Sequence, residues 1–245
     1  MIKKELLKKL LRTYDLPNLE KHLIYTYLII NKIKYIESSI LRAYLTDFVI
    51  NPDLNASIIS LNLTNIKELE NYLELIIPFE DRKLNGAFFT PDYIIDFIIS
   101  EIKPKEADTN LDPSCGCGAF LVGLTDYLKR MYKKPIRVIL RENIFGSDIL
   151  KYNIHRTKLI LTIYALQHGE HVEDSDFNLY HQDSLRANWE SHFDNIVGNP
   201  PYVKFQDLTD INRVYLAEHW TTVKGGTFNL YYAFFELGYK LIHPL

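Results

Sequence analysis

The chain has 245 residues, 47% of them hydrophobic and 24% charged, and a formal net charge of −3. That length buries one substantial core, or one core and a small appended unit, and the composition is that of a folded protein in water. No apolar run is long enough to span a bilayer, Lys3, Lys4, Lys8 and Lys9 break up any secretory leader, and the two cysteines, one residue apart, suit a reducing compartment. These features predict a cytoplasmic protein.

Residues 2–50 read as helices. LLKKLL, LEKHLIYTYLIINKI and SSILRAYLTDFVI place apolar residues at three- and four-residue steps. Residues 1–42 carry 9 Lys and Arg against 4 Asp and Glu, which is either the polar face of an amphipathic helix or a surface for phosphates. Asn51-Pro52-Asp53 punctuates the stretch, a further helix is predicted over 64–76, and Pro78 closes it. From about residue 86 the pattern becomes short strands alternating with helices. A helix over 92–101 precedes a strand at 110–112. A helix over 118–133, a strand at 143–148 and an amphipathic helix running through Ala165 follow. Strands at 177–182 and 193–198 come next, then a helix over 227–242. The alternation predicts an α/β fold with a parallel sheet over residues 81–245, behind a helical N-terminal domain over residues 1–80. Ligands on such sheets sit at the carboxyl ends of the strands, where this sequence puts Asp112, Asp148, Asp183 and Asn199.

Asn199-Pro200-Pro201-Tyr202 leaves a buried strand, DNIVG. Two consecutive prolines fix two φ angles and remove two N–H donors, so the loop is rigid and rich in acceptors. The Asn199 side-chain oxygen and the Pro200 carbonyl suit the two hydrogens of a planar amino group. Acceptors placed to favour a pyramidal nitrogen make such an amine attack. Tyr202 is placed to stack on the base that carries it. An adenine within a duplex reaches such a loop only by being turned out of the stack. The plain alternative is a turn after a strand.

Upstream, Leu111-Asp112-Pro113-Ser114-Cys115-Gly116-Cys117-Gly118-Ala119-Phe120 joins the first strand to a helix. Gly116 and Gly118 let backbone approach a ligand. The acidic residue ahead of the glycines repels a pyrophosphate and suits an ammonium, so the expected ligand is a nucleoside carrying an amino acid. Asp148 is placed for ribose hydroxyls, Ile149 for packing on an adenine, and Asp183 for the adenine amino group. Each aspartate alone also reads as a helix cap. Thr90-Pro91, closing Gly86-Ala87-Phe88-Phe89-Thr90-Pro91, reads as the start of the 92–101 helix. Cys115 and Cys117 with His168 and His171 imitate a zinc site, and Pro91-Asp92 with Glu101 and Lys103 imitates a nuclease. The glycine loop and a single helix account for them, and no metal is expected.

In this order the motifs resemble the gamma class of amino-group DNA methyltransferases, the adenine-N6 enzymes of restriction–modification systems, over roughly residues 85–243. FFTP is similar to the class's upstream cofactor motif. DPSCGCGAF is similar to its glycine loop, with Cys117 where serine is more usual, and SDIL, HQDSL and GNPPYV match later blocks. NRVYLAEHW and GTFNLYYAFFELGYKLI resemble the large single-chain enzymes that combine modification with restriction. The resemblance implies a Rossmann-like S-adenosylmethionine-dependent methyltransferase fold. It implies that Thr90, Asp112, Ser114, Gly118, Asp148, Ile149 and Asp183 line the S-adenosylmethionine site, and that Asn199, Pro200 and Tyr202 hold the target adenine of double-stranded DNA. That class continues with three more strands, whereas this sequence stops at His243-Pro244-Leu245, near where a fifth would begin. The expectation is therefore an incomplete sheet whose edge seeks a further segment or a partner subunit, and a chain inactive alone. Related loops also serve methyltransferases acting on RNA bases or protein glutamine, and a non-catalytic binding subunit is the remaining alternative.

Overall fold

The computed structural model describes residues 2–78, 80–81, 86 and 90–243, so Ala87, Phe88 and Phe89 of the upstream motif, and Pro244 and Leu245, lie outside the described residues. The chain opens with helices α1 (Ile2–Thr13), α2 (Leu16–Ile30), α3 (Ser39–Tyr44), α4 (Pro52–Ile59) and α5 (Ile66–Leu75). Asp15, Ser38, Asn51 and Asn65 each accept a hydrogen bond from the backbone N–H three residues on, satisfying a donor the helix start leaves open. Asn51-Pro52 therefore begins α4, a helix that its punctuation conceals. The helix expected over 38–50 stops at Tyr44. Asp47 turns the chain with a φ of 58°, and exposed Val49 and Ile50 offer no face to pack a further turn.

Helix α6 (Asp92–Ile102) leads into the alternating region: β1 (Asn110–Asp112), α7 (Ala119–Tyr132), α8 (Ile136–Glu142), β2 (Ile144–Asp148), α9 (Lys151–Gln167), β3 (Asn178–His181), β4 (Asn195–Ile196), α10 (Asp210–His219) and α11 (Tyr231–Leu241). The four strands form one parallel sheet in the order β3-β2-β1-β4, which is the α/β fold expected. Beyond β4, Phe193 and Ile242 form an isolated parallel bridge, with Phe193 N donating to Leu241 O at 2.8 Å and His243 N to Phe193 O at 2.9 Å. The helix expected over 227–242 begins only at Tyr231. Phe205 N donates to Phe228 O and Leu230 N to Val203 O, drawing the preceding residues into an antiparallel contact with the segment after Tyr202.

The sheet separates two cores. On one face Leu111, Phe193, Trp220, Phe228 and Leu237 pack together. On the other, Leu121, Leu124, Ile160 and Ile163 join Leu23, Ile24, Tyr27 and Leu73 of the first helices in one continuous cluster. Arg156 on α9 fastens that junction: fully buried, it donates to Glu20 on α2 at 2.8 and 2.6 Å and to the Leu73 carbonyl at 3.1 Å. Among the described residues no helix is long and apolar enough to cross a membrane.

Candidate active site

The strand ends open on one cavity of about 940 Å³. Thr90, Asp112, Ser114, Gly116, Asp148, Ile149, Asp183, Asn199 and Pro201 line it, so most of the residues singled out in the sequence meet there although they come from five segments. Ile149 is half exposed on its wall. Gly118, Pro200 and Tyr202 are not on the wall. Gly118 stands behind the loop at a φ of +96°, where a Cβ would come within 2.9 Å of Thr157 Cγ2; glycine here lets α7 start against α9. Tyr202 is half exposed, its ring 5.5 Å from that of Tyr231.

The glycine loop is held by the aspartates around it. Asp112, buried at the end of β1, accepts from Ser114 N at 2.9 Å. It presses on Gly198, where a Cβ would lie 2.5 Å from Asp112 Oδ1, so only glycine lets β4 end beside β1. Burial pushes the Asp112 carboxyl up to about 8. Asp148 is also raised by burial, against hydrogen bonds from Leu150 N at 2.8 Å, Gly116 N at 2.9 Å and Asn153 Nδ2 at 3.1 Å. Its carboxylate thus clamps the loop and has about one of its four acceptor positions remaining. Asp183 accepts from Leu185 N at 3.0 Å and pairs with Arg186 Nε at 3.1 Å. Arg186 in turn reaches α10, with its guanidinium 3.8 Å from the Tyr215 ring centre and Nη2 2.9 Å from Asn212 Oδ1.

The loop after β4 is stitched to the upstream motif. Asn199 Nδ2 donates to Thr90 Oγ1 at 3.1 Å, and Tyr202 N donates to Gly86 O at 3.1 Å. Ser114 Oγ reaches the Asn199 carbonyl at 3.4 Å. Thr90 is expected to cap α6, but Pro91 occupies the cap position with no side-chain bond, and the threonine hydroxyl serves Asn199 instead. With the amide nitrogen on Thr90, the amide oxygen of Asn199 points the other way. Cys115 and Cys117 are buried, Cys117 Sγ lies 3.9 Å from Asn153 Oδ1, and His168 bonds the Tyr164 carbonyl at 2.9 Å. Asp92 and Glu101 share α6, and among the described residues no cluster of three or more His, Cys, Asp or Glu could hold a metal.

Several wall residues escape the sequence pattern, among them Ser184, Arg186 and Glu74. Ser184 and Arg186 follow Asp183 directly, and the i, i+3 spacing of Asp183 and Arg186 is the signal that could have found the second. Glu74 comes from α5, in a region whose apolar periodicity gives no hint of a cavity.

A parallel sheet with acidic side chains at successive strand ends, grouped around a glycine turn, defines an α/β protein with its ligand site across the sheet edge. The chain belongs to the N-6 DNA methylase family, whose model matches residues 70–235. It is 32% identical over 122 residues to the methylase subunit of the type I restriction enzyme EcoEI of Escherichia coli, a match covering 48% of this chain and 24% of that protein. It is 29% identical over 175 residues to the type II methyltransferase M.AccI of Acinetobacter calcoaceticus, covering 69% and 27%. The chain thus spans about a quarter of the length of these relatives. Among solved structures, its fold is similar to that of DrdV in a complex with DNA, with a TM-score of 0.58 at 18% identity over 92% of this chain and 29% of that one. It is also similar to the type IIL restriction-modification enzyme MmeI in complex with DNA, with a TM-score of 0.54 at 15% identity over 91% and 40%.

Proposed function

We propose that this chain carries the cofactor site and the target-holding loop of a cytoplasmic adenine-N6 DNA methyltransferase of a restriction–modification system, with S-adenosylmethionine as methyl donor and a flipped adenine of double-stranded DNA as acceptor. One observation carries the reading: Asn199 and Pro201 line the same cavity as Asp112, Asp148 and Asp183. A rigid acceptor loop and a row of carboxylates thereby face one space, whose size falls in the range of about 300–1,000 Å³ that encloses a small organic ligand. The donor set fits the cofactor. Asp112 would hold its ammonium, the remaining acceptor position of Asp148 its ribose, Ile149 the face of its adenine and Asp183 the adenine amino group. Ser114, Gly116 and Thr90 would complete the wall.

When bound, the cofactor supplies an electrophilic methyl group on a sulfonium. The chain's part is to hold the acceptor. The Asn199 side-chain oxygen and the Pro200 carbonyl accept the two N–H bonds of the target amine and favour the pyramidal geometry that localises its lone pair. Thr90 fixes the orientation of the Asn199 amide, and Tyr202, on the open side, stacks on the target base. Residues 1–80 act as a helical brace on residues 81–245.

Calorimetric titration of the chain with S-adenosylmethionine tests the cofactor assignment. Saturable 1:1 binding, sharply weakened in Asp112→Ala, is the expected result. A folded chain that takes up no cofactor overturns it.

A further inference from the structure

Part of the cavity wall beside the glycine loop comes from the helical region. Glu74, in the last turn of α5, lines the cavity beside Asn71 and Leu75. Its Oε1 lies 3.8 Å from the point a Cβ would occupy on Gly116, the only atom within 4 Å of that point among the described residues apart from Gly116 and its chain neighbours. Gly116 and Glu74 both line the cavity, so the Glu74 carboxylate borders the cavity beside the glycine loop.

We propose that Glu74 is a ligand for the cationic amino-acid end of the bound cofactor, so that the helical region supplies one wall of the cofactor site. The proposal rests on the reading of this cavity as an S-adenosylmethionine site. Among the described residues no hydrogen bond or ion pair engages the Glu74 carboxylate. The groups around it leave the role open to a ligand. Arg156 on α9 is the nearby cation, but its nitrogens are committed to Glu20 and the Leu73 carbonyl. Asp92 on α6, Glu70 on the same helix and Cys117 in the glycine loop add acids or a neutral thiol. Lys3 on α1 also reaches the cavity and pairs with Glu68 at 3.4 Å. With Asp112, Asp148 and Asp183 also lining the cavity, the cavity is acidic, which disfavours a phosphate and favours a ligand carrying an ammonium and a sulfonium. Burial, reinforced by Asp92 and opposed by Arg156, pushes the Glu74 carboxyl up to about 7. A bound cation stabilises the ionised form, so binding at neutral pH drives a proton off this carboxyl and tightens as pH rises through 7.

The experiment is calorimetric titration of the full chain and of Glu74→Gln with S-adenosylmethionine and with S-adenosylhomocysteine, near pH 7, in buffers of different ionisation enthalpy. Glu70→Gln is the control, because Glu70 is buried on the same helix and is not part of the cavity wall. Circular dichroism verifies that each variant is folded. Glu74→Gln is expected to weaken binding about tenfold and to reduce the proton release, while Glu70→Gln retains both. A loss shared by both ligands assigns Glu74 to the ammonium, and a loss confined to S-adenosylmethionine assigns it to the sulfonium. Unchanged affinity and proton release in Glu74→Gln overturn the proposal, as does an equal loss in Glu70→Gln. Absence of binding by the folded wild-type chain overturns the cofactor reading itself, and this proposal with it.

Discussion

The helical region and the sheet region bury polar groups in different ways. In the helical region these groups pin one helix to the next: His22 on α2 links the Asn18 carbonyl to the Asn51 N–H at the start of α4, Thr26 on α2 bonds Asn55 on α4, and Ser38 caps α3. In the sheet they cross-link separate loops. Asn110 reaches the Asn143 carbonyl, Asp148 holds Gly116, and Ser184 ties Ser147 to the Pro113 carbonyl. Bonds between helices fix how the helices pack, whereas bonds between the strand-end loops set where the side chains at the cavity stand relative to one another. The helices therefore behave as a brace and the strand ends as a positioning frame. Among the described residues, Arg156 is the one fully buried charged side chain that belongs to both.

Arg156→Met tests that junction most severely. It leaves the Leu73 carbonyl without its donor and the Glu20 carboxylate without its cation, with Tyr44 Oη as its remaining partner, and unfolding free energy is expected to fall by about 3–5 kcal/mol, as for other broken buried ion pairs. Urea unfolding followed by fluorescence should show one earlier transition; two separated transitions would mean that the brace and the frame fold independently. Asn199→Ala should do the reverse. In the chain assembled with the further segment or partner subunit its sheet edge seeks, labelled-methyl incorporation into DNA is expected to drop about 10²–10³-fold, the usual cost of one preorganised polar contact to a reacting group, with the urea midpoint barely moved. A large loss of stability would show that the loop is structural.

Asp112 provides a pH test of the frame. Its folded-state pKa, about 8, lies above the ordinary carboxylate value, so folding takes up a proton between roughly pH 4 and pH 8. Stability of the ligand-free chain should therefore decline across that window, by at most about 1.4 kcal/mol per pH unit for this group. Asp112→Asn should flatten the decline in thermal melts while impairing cofactor binding. A wild-type melting temperature that is flat across the window would show that the carboxyl stays ionised. The smallest effect is expected from Thr90→Val, which removes the hydroxyl that accepts from Asn199 Nδ2. A lost hydrogen bond of about 1 kcal/mol corresponds to roughly fivefold, and it should appear in kcat with the cofactor KM unchanged. A change in KM alone would place Thr90 on the cofactor instead.

The strand ends were legible because each is brief and finishes on an unusual residue. Asn110–Asp112 coincides with β1, and Asp148 closes β2 as expected. NPPY was legible because two adjacent prolines after an apolar strand restrict what the loop can do. Helix α8 was not, since IRVILRE after Pro135 is too short for a clear period and merges with the strand that follows. The start of α11 was not, because residues 228–230 are held by Val203 and Phe205, a tertiary contact that overrides a helical pattern. The sequence reads Thr90 as a cap because its partner, Asn199, lies 109 residues away. Glu74 was invisible for the same reason: its significance comes from Gly116 across a cavity, and helical periodicity records only which face is apolar.

The bonds that join the upstream motif to the loop after β4 also have a consequence for the order of folding. Closing them brings together segments 109 residues apart, which requires the intervening helices and strands to be in place first. Loop-closure entropy rises with separation, and distant contacts are made late. The brace, built from neighbouring helices, should regain its far-ultraviolet signal early in refolding, and the ability to bind cofactor should return only in the slowest step. The chemistry would then be the last thing the chain acquires, and the first it loses when partly unfolded.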